Sequence, residues 1–290
     1  MKLYGKRFTS ERLLELLGRL GTITAVAEHI GERRRTISHW YQDIRGGVVN
    51  EKVKADIFVS IAGDKLLNLS NRNVLFMTDT HYPYNRKGCE DFCKEIYDKE
   101  ECDLVIMGGD LVDLHSTSRH MSDPDLPNSK SELEKAVECC ERLFSIFPEG
   151  ILTLGNHDLR IIRKATGSGI SRSFLKTFEQ VYKIPEEWKV VEHVMVDGII
   201  YQHGNDLSGD NAATTWTMKN LCSTAIGHVH SVSSIKYLKS AKGMYLAISC
   251  GCLADQSALS MAYSKSYPRR FVNGVTVIKN GTHAQFFPMP

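Results

Sequence analysis

The sequence has no apolar run long enough to cross a bilayer, and its opening residues, Met1-Lys2-Leu3-Tyr4-Gly5-Lys6-Arg7-Phe8, lack the apolar stretch of a secretory signal. These absences speak against a membrane partner and predict a cytoplasmic protein, in the host cytoplasm if the gene is carried by a phage. Proline is scarce, at eight in 290 residues, and ordinary apolar and charged fractions argue against long disordered tracts. Charge of one sign is lacking too: 36 basic against 34 acidic side chains give a net of +2, which selects no partner by itself. Nor do the eight cysteines make a disulfide scaffold, because Cys89, Cys93, Cys102, Cys139, Cys140, Cys222, Cys250 and Cys252 are scattered through a chain far larger than such scaffolds. Reduced thiols are expected. Cys250-Gly251-Cys252 has neither CxxC spacing nor a second pair, so it reads as a turn beside the core rather than a zinc site.

What is present falls into two parts. Basic residues concentrate at the front, where nine Lys/Arg against five Asp/Glu through Arg45 leave a local excess of four. Thr9 or Ser10 can cap a helix whose Leu13, Leu14, Leu17 and Leu20 share one face and whose stop is Gly21. A second helix is predicted from about Thr24 to Ile30, ended by Gly31, and a third stretch carries Ile37 and Trp40. The spacing of Ala27, Gly31, Ile37 and Trp40 resembles the helix-turn-helix of bacterial and phage DNA-binding proteins, so residues 1–46 are expected to form a small all-α domain of that type. Arg33, Arg34, Arg35, Thr36, Ser38 and His39 fall between the packing positions, near the start of the recognition helix. Donors to phosphates and base edges are needed there, which makes DNA the expected partner. The alternative is a helical bundle with a solvated basic face, a role compatible with homo-oligomer formation. Residues 47–72 suit either a linker or a small β wing.

From residue 73 to 290 the pattern becomes α/β alternation. Strands are predicted at Val74–Met77, Leu104–Met107, Ile151–Leu154, Ile199–Gln202 and Thr224–Ile226, with helices around Cys89–Lys99, Lys130–Phe147 and Ser171–Tyr182. Val190–Val196 and Ile199–Gln202 flank Asp197-Gly198, a hairpin signal, so antiparallel pairs are expected as well. Each of the five strands runs into polar residues able to bind metal: Asp79-Thr80-His81, Gly108-Gly109-Asp110-Leu111-Val112-Asp113, Gly155-Asn156-His157-Asp158, His203-Gly204 and Gly227-His228-Val229-His230. Taken singly these fragments are weak, because an isolated Asp-x-His is usually a turn and a lone histidine usually a hydrogen-bonded one. Five in order, each after an apolar strand, point to side chains converging beyond the strand ends.

Over roughly residues 73 to 280 the five blocks resemble those of the calcineurin-like metallophosphoesterase superfamily. The resemblance implies a sandwich of mixed β-sheets flanked by helices and two divalent metal ions, manganese first, with iron, zinc, nickel or magnesium as alternatives. By that resemblance Asp79, His81 and His230 hold the first ion, Asn156, His203 and His228 the second, and Asp110 bridges both. His157, paired with Asp158, sits by the phosphate, and Asp113 supports the site through hydrogen bonds. Carboxylate, amide and imidazole donors suit borderline to hard first-row ions, and a water bridging two such ions loses its proton far more easily than bulk water, giving a hydroxide that attacks phosphorus.

Substrate choice is less direct. Protein phosphatases of the superfamily follow the second block with Arg-Gly and end the third in Glu. Here Leu114-His115-Ser116 follows Asp113, and Asp158 ends the third block. Both departures lean toward the phosphodiesterase and exonuclease branch, which includes SbcD-like nucleases. The tail from Gly251 to Ala254 and from Pro268 to Gly274 resembles phage-encoded members. Arg119 and His120 are candidate phosphate-clamp residues. The expected activity is DNA hydrolysis; the alternatives are a phosphomonoesterase, a cyclic-nucleotide phosphodiesterase, and a DNA-binding regulator whose phosphoesterase domain does not turn over.

Overall fold

A computed structural model describes residues 3–4, 8–9, 16, 23–30, 69–118, 124–264 and 270–290. The chain divides into two compact units, Met1–Leu66 and Leu67–Pro290. In the first, strands β1 (Leu3–Tyr4) and β2 (Phe8–Thr9) pair antiparallel, followed by helix α1 (Ile23–Ile30). Thr9 therefore belongs to a strand and not to a helix cap, and the all-α expectation for this unit is corrected to that extent. Helix α1 coincides with the second expected helix, and Val26 and Ala27 are buried. The six expected DNA-contact residues, Arg33, Arg34, Arg35, Thr36, Ser38 and His39, lie outside the described residues, as do positions 47–68.

In the second unit the strand sequences decide the layering. In β3 (Asn73–Met77), Val74 and Phe76 alternate with Leu75 and Met77, and all four are buried, so the strand needs cover on both faces. Beside it run β4 (Leu104–Met107), β5 (Gly150–Thr153) and β6 (Trp188–Val191), all parallel. The second sheet contains β7 (His193–Val196), β8 (Ile199–Gln202), β9 (Ser223–Ile226), β10 (Ser234–Ser240) and β11 (Gly243–Ser249), in the order β10-β11-β9-β8-β7. Strands β12 (Gly274–Lys279) and β13 (His283–Pro288) return to complete the first, in the order β13-β12-β3-β4-β5-β6.

The two sheets face one another through Val74, Phe76, Ile106 and Ile151 on one side and Val196, Ile199, Tyr201 and Ile248 on the other. The Phe76 and Tyr201 rings meet edge to face at 5.3 Å. On the opposite face of the first sheet, Leu75, Met77, Val105 and Met107 pack under helices α2 (Cys89–Lys99) and α3 (Ser129–Ile146), which contribute Cys93, Ile96, Cys140 and Leu143. Each such large side chain contributes roughly 1.5–3 kcal/mol by leaving water. Asn128 starts α3 by accepting the Lys130 and Ser131 amides at 3.1 Å. Three further helices follow: α4 (Arg160–Gly167), α5 (Phe178–Tyr182) and α6 (Ala212–Asn220). The fold is thus the expected mixed-sheet sandwich with flanking helices.

Two elements differ from expectation. Val190–Val196 is not one strand: the chain leaves the first sheet at Val191 and enters the second at His193, with the exposed Glu192 between. The helix expected over Ser171–Tyr182 is a 3-10 turn, Arg172–Phe174, and then α5, because Ser171 caps the turn and Thr177 and Gln180 form a capping box that starts a new helix. The hairpin signal held: Asp197 and Gly198 take φ values of 50° and 76° between antiparallel β7 and β8. All eight cysteines are free, and both Cys250 and Cys252 are buried. Among the described residues no helix is long and apolar enough to cross a membrane.

Candidate metal centre

The parallel strands β3, β4 and β5 end side by side, as do β8 and β9, so five polar blocks distant in sequence meet beyond one edge of the sandwich. Asp79, His81, Asp110 and His228 all adopt left-handed backbone conformations, with φ of 56°, 51°, 49° and 65°. Asp and His tolerate this region better than most residues, yet each such position costs of order 1–3 kcal/mol and persists only where its surroundings enforce it. Hydrogen bonds between the loops supply that enforcement: Asp79 N donates to Gly109 O at 3.0 Å and His81 N to Asp110 O at 3.0 Å.

Two carboxylates are each fixed to a backbone amide by one oxygen and turned toward the histidine rings with the other. Asp79 Oδ2 accepts the His228 amide at 3.0 Å, while Oδ1 lies 2.9 Å from His230 Nε2 and 3.7 Å from His81 Nε2. Asp110 Oδ1 accepts the His157 amide at 2.8 Å, while Oδ2 lies 3.2 Å from His203 Nε2 and 3.7 Å from His81 Nε2. His81 Nε2 and His230 Nε2 are 3.2 Å apart, and so are His203 Nε2 and His228 Nδ1. Two donors on one first-row ion, each about 2.1 Å from it, would be separated by about 3.0–3.4 Å, so these spacings suit pairs of donors to one such ion. The outer ring nitrogens are already committed. His203 Nδ1 donates to the Gly108 carbonyl at 2.9 Å and His81 Nδ1 to Asp113 Oδ1 at 2.9 Å, which turns both Nε2 lone pairs inward.

Asn156 provides the independent check on metal. Its Oδ1 is buried and has no hydrogen-bond partner, an arrangement that costs about 1–3 kcal/mol unless a cation takes the lone pair. The residues present therefore fit two ions. Asp79, His81 and His230 form one cluster of donors and Asp110, His203 and His228 another, with Asp110 Oδ2 also 3.7 Å from His81 Nε2. Glycine is obligatory where the loops touch: a Cβ on Gly155 would sit 2.1 Å from Asp110 Oδ1, and one on Gly227 would sit 2.4 Å from Asp79 Oδ2.

The carboxylates hold two of the histidines, His81 and His203, as cations. Burial alone would lower the His81 pKa, but its hydrogen bonds to Asp113 and Asp79 and the charge of Asp110 outweigh it and lift the ring to about 10. His203, likewise depressed by burial, is raised to about 9 by Asp110 and Asp79. Asp110 and Asp113 fall below the usual carboxylate range, burial being outweighed by the neighbouring histidines. An ion needs the Nε2 lone pairs, so both rings must lose a proton on loading. Metal binding near pH 7 should release about two protons, and apparent affinity should rise with pH until it passes about 10, as calorimetry in buffers of differing ionisation enthalpy would read. Affinity independent of pH would contradict this picture of the site.

The structure revises the role expected for Asp158 and gives Asp113, expected to support the site through hydrogen bonds, its particular partners. Asp158 does not touch the His157 imidazole: its carboxylate accepts the amides of Asp110 at 2.9 Å, Val112 at 3.2 Å and Gly155 at 2.8 Å, buckling the second loop to the third. Asp113 orients His157 instead, through Nδ1 at 2.9 Å, and the same Oδ1 atom also holds His81. Nor is the His157 ring held in its charged form, because burial outweighs Asp110 and lowers its pKa. A geometric reason underlies the swap. Asp158 follows His157 directly, and its side chain turns into the loop, where three amides need an acceptor. Arg119 and His120 lie outside the described residues.

Two contributors were missed in the sequence. Arg160 donates from Nη2 to His157 Nε2 at 2.9 Å and from Nη1 to the Asp113 carbonyl at 2.7 Å, placing a guanidinium at the rim. Its position three residues after His157, at the start of a helix, was the available signal. Glu132, on α3, accepts the amides of His115 at 2.6 Å and Ser116 at 2.9 Å and pins the loop after Asp113. Beside His203 a cleft of about 350 Å³ opens between Leu154, Asn205, Leu207 and Trp216.

A two-sheet sandwich with clustered Asp and His donors at its strand ends suits a metallophosphoesterase. The sequence profile of the calcineurin-like phosphoesterase family matches residues 72–240, more than half of the chain, and the chain belongs to that family, whose members typically bind two divalent metal ions. Comparison with curated proteins finds no significant match. Among solved structures the chain is similar to vacuolar protein sorting 29 from Cryptosporidium parvum (15% identity, 76% of this chain and 98% of that one, TM-score 0.37). It is also similar to Yfce, a phosphoesterase from E. coli (13%, 72% and 88%, 0.37). A third is the nuclease MPE from Pseudomonas putida (13%, 79% and 96%, 0.33).

Proposed function

We propose that the protein is a two-metal phosphodiesterase of DNA, with Asp79, His81 and His230 on one ion, Asn156, His203 and His228 on the other, and Asp110 on both. The observation that carries the two-ion reading is Asp110 Oδ2, which stands within 3.7 Å of a donor from each set while its other oxygen is tied to a backbone amide. Such ions neutralise phosphoryl oxygens and make water a competent nucleophile near neutral pH. The chain's own residues hold the ester. His157 Nε2 lies 3.8 Å from Asp110 Oδ2 and faces the ester, and the Arg160 guanidinium stands beside it as a fixed positive donor. With Nδ1–H committed to Asp113, the ring exchanges protons only through Nε2. Two features favour a diester of DNA over a protein phosphate: Leu114-His115-Ser116 where protein phosphatases carry Arg-Gly, and the basic N-terminal unit.

Assays with manganese on single-stranded DNA, duplex DNA, bis-para-nitrophenyl phosphate and para-nitrophenyl phosphate test the reading. Turnover of the monoester alone would remove it in favour of a phosphomonoesterase. Replacing His157 by alanine should lower turnover of the small diester roughly a hundredfold or more while metal content stays near two ions per chain. Loss of both ions would assign the ring to metal binding instead. Neutralising Arg33, Arg34 and Arg35 together should weaken DNA association and flatten its salt dependence; unchanged affinity would leave the N-terminal unit without a nucleic-acid role.

A further inference from the structure

Beyond the metal loop the chain carries a surface that the chemistry does not use. From Leu159 to Phe178 there are five basic residues, Arg160, Arg163, Lys164, Arg172 and Lys176, and no acidic one. No residue of α4 is buried, and the 3-10 turn Arg172–Phe174 is likewise fully on the surface. Apolar side chains stand among these charges in water: Ile161 is 41% exposed, Ile170 45% and Phe174 82%. An isolated surface leucine needs no explanation, but a phenylalanine this exposed within a uniformly basic segment does.

The segment is built rather than loose. Helix α4 packs against the 3-10 turns on either side of it, His115–Thr117 and Arg172–Phe174. Lys164 Nζ reaches the Thr117 carbonyl at 3.3 Å, and Ile170 N closes back on Ala165 O at 2.9 Å. Arg160, the first residue of the helix, lies against His157, so the basic surface begins at the metal centre and runs about 12 Å outward along the helix axis. No acid occupies the first turn to offset the positive end of the helix.

Positive charges spaced along a ridge, with an aromatic face open to solvent, match what an unpaired nucleic-acid strand offers: regular phosphates and exposed π-faces. We infer that the ridge Arg160–Lys176 binds single-stranded nucleic acid next to the scissile phosphate, with Arg163 and Lys164 on the backbone and Phe174 stacking on a base. A duplex end must unpair to use it. This inference rests on the phosphodiesterase reading and deepens it by naming the strand form of the substrate. A lipid surface fits less well, because the large exposed apolar residues of the segment are three, Ile161, Ile170 and Phe174, set among five basic side chains.

The test measures binding and cleavage separately in the full chain. Without added metal, anisotropy of labelled single-stranded DNA and RNA should show Phe174→Ala weakening affinity about tenfold, with Phe174→Tyr restoring it and duplex affinity changed less than roughly twofold. Arg163→Gln with Lys164→Gln should reduce the logarithmic salt slope by about 1.5. With manganese, the ratio of oligonucleotide to bis-para-nitrophenyl phosphate kcat/KM should fall about tenfold in both variants, melting temperature reporting that each is folded. Unchanged single-strand affinity in both variants would overturn the inference. So would a salt slope carried wholly by Arg33, Arg34 and Arg35, or binding to vesicles of phosphatidylcholine and phosphatidylglycerol that oligonucleotide does not displace. A chain that turns over the monoester alone sinks the diesterase reading in the metal assay; a parent chain that binds single strand and duplex alike sinks the ridge in the metal-free one.

Discussion

Asp110→Asn should reduce hydrolysis of any phosphoester on the order of 10⁴-fold, close to 5.5 kcal/mol of transition-state stabilisation, while the chain stays folded. The substitution preserves shape and keeps an oxygen for the His157 amide, but it removes the one negative charge placed between both donor sets. Two consequences follow from that position. The two ions lose the anion that offsets their mutual repulsion, so at least one should leave, visible as metal content falling toward one per chain. His81 and His203 also lose one of the charges that raise them to about 10 and about 9, so their pKa values should drop and be seen to drop by NMR titration. A variant that kept two ions and activity within about tenfold of the parent would show that Asp110 is not shared.

The second large effect belongs to a residue with no side chain. Gly155→Ala introduces a Cβ 2.1 Å from Asp110 Oδ1 and 2.3 Å from the Asp110 backbone nitrogen. A flexible side-chain tip could yield, but here the obstacle includes main chain, and that amide already donates to Asp158. Relieving the clash must separate the second and third loops, at a cost of typically 1–3 kcal/mol in stability, and must move Asp110 away from its donors. A displacement of about 1 Å at the reacting groups is worth on the order of a hundredfold in rate, so activity should fall further than stability does. Melting temperature and kcat measured on one preparation would separate the two losses. An alanine variant with parental kcat would mean that the loops are not in the contact described.

How much of this was legible in the sequence depended on how strongly each feature is written. The strands ending at Met77, Met107, Thr153, Gln202 and Ile226 were readable because apolar runs stop abruptly at Asp, Gly, Asn or His. The break at Glu192 was not, since Val190, Val191, Val194 and Val196 look alike whichever sheet they enter. Helix α4 was hidden for the opposite reason: none of its residues is fully buried and Ile161 stands in water, so its apolar positions mark no core. Strand β10 went unassigned because it is half exposed and carries lysines. Within the site, the donor residues could be named from their blocks. Which aspartate holds His157 could not, because Asp113 and Asp158 are equally close to it in sequence logic and only three-dimensional loop contact distinguishes them. The left-handed backbones of Asp79, His81, Asp110 and His228 leave no trace in composition at all.

The three amides gathered by Asp158 belong to the protein alone, and no ion takes part in that fastening. Loops shaped in this way act as a socket rather than a clasp: ions can depart to a chelator and others can take their place without the loops having to fold again. Which metal the protein carries would then follow the supply in its surroundings, and a preparation's activity would record its recent history of ions as much as its sequence.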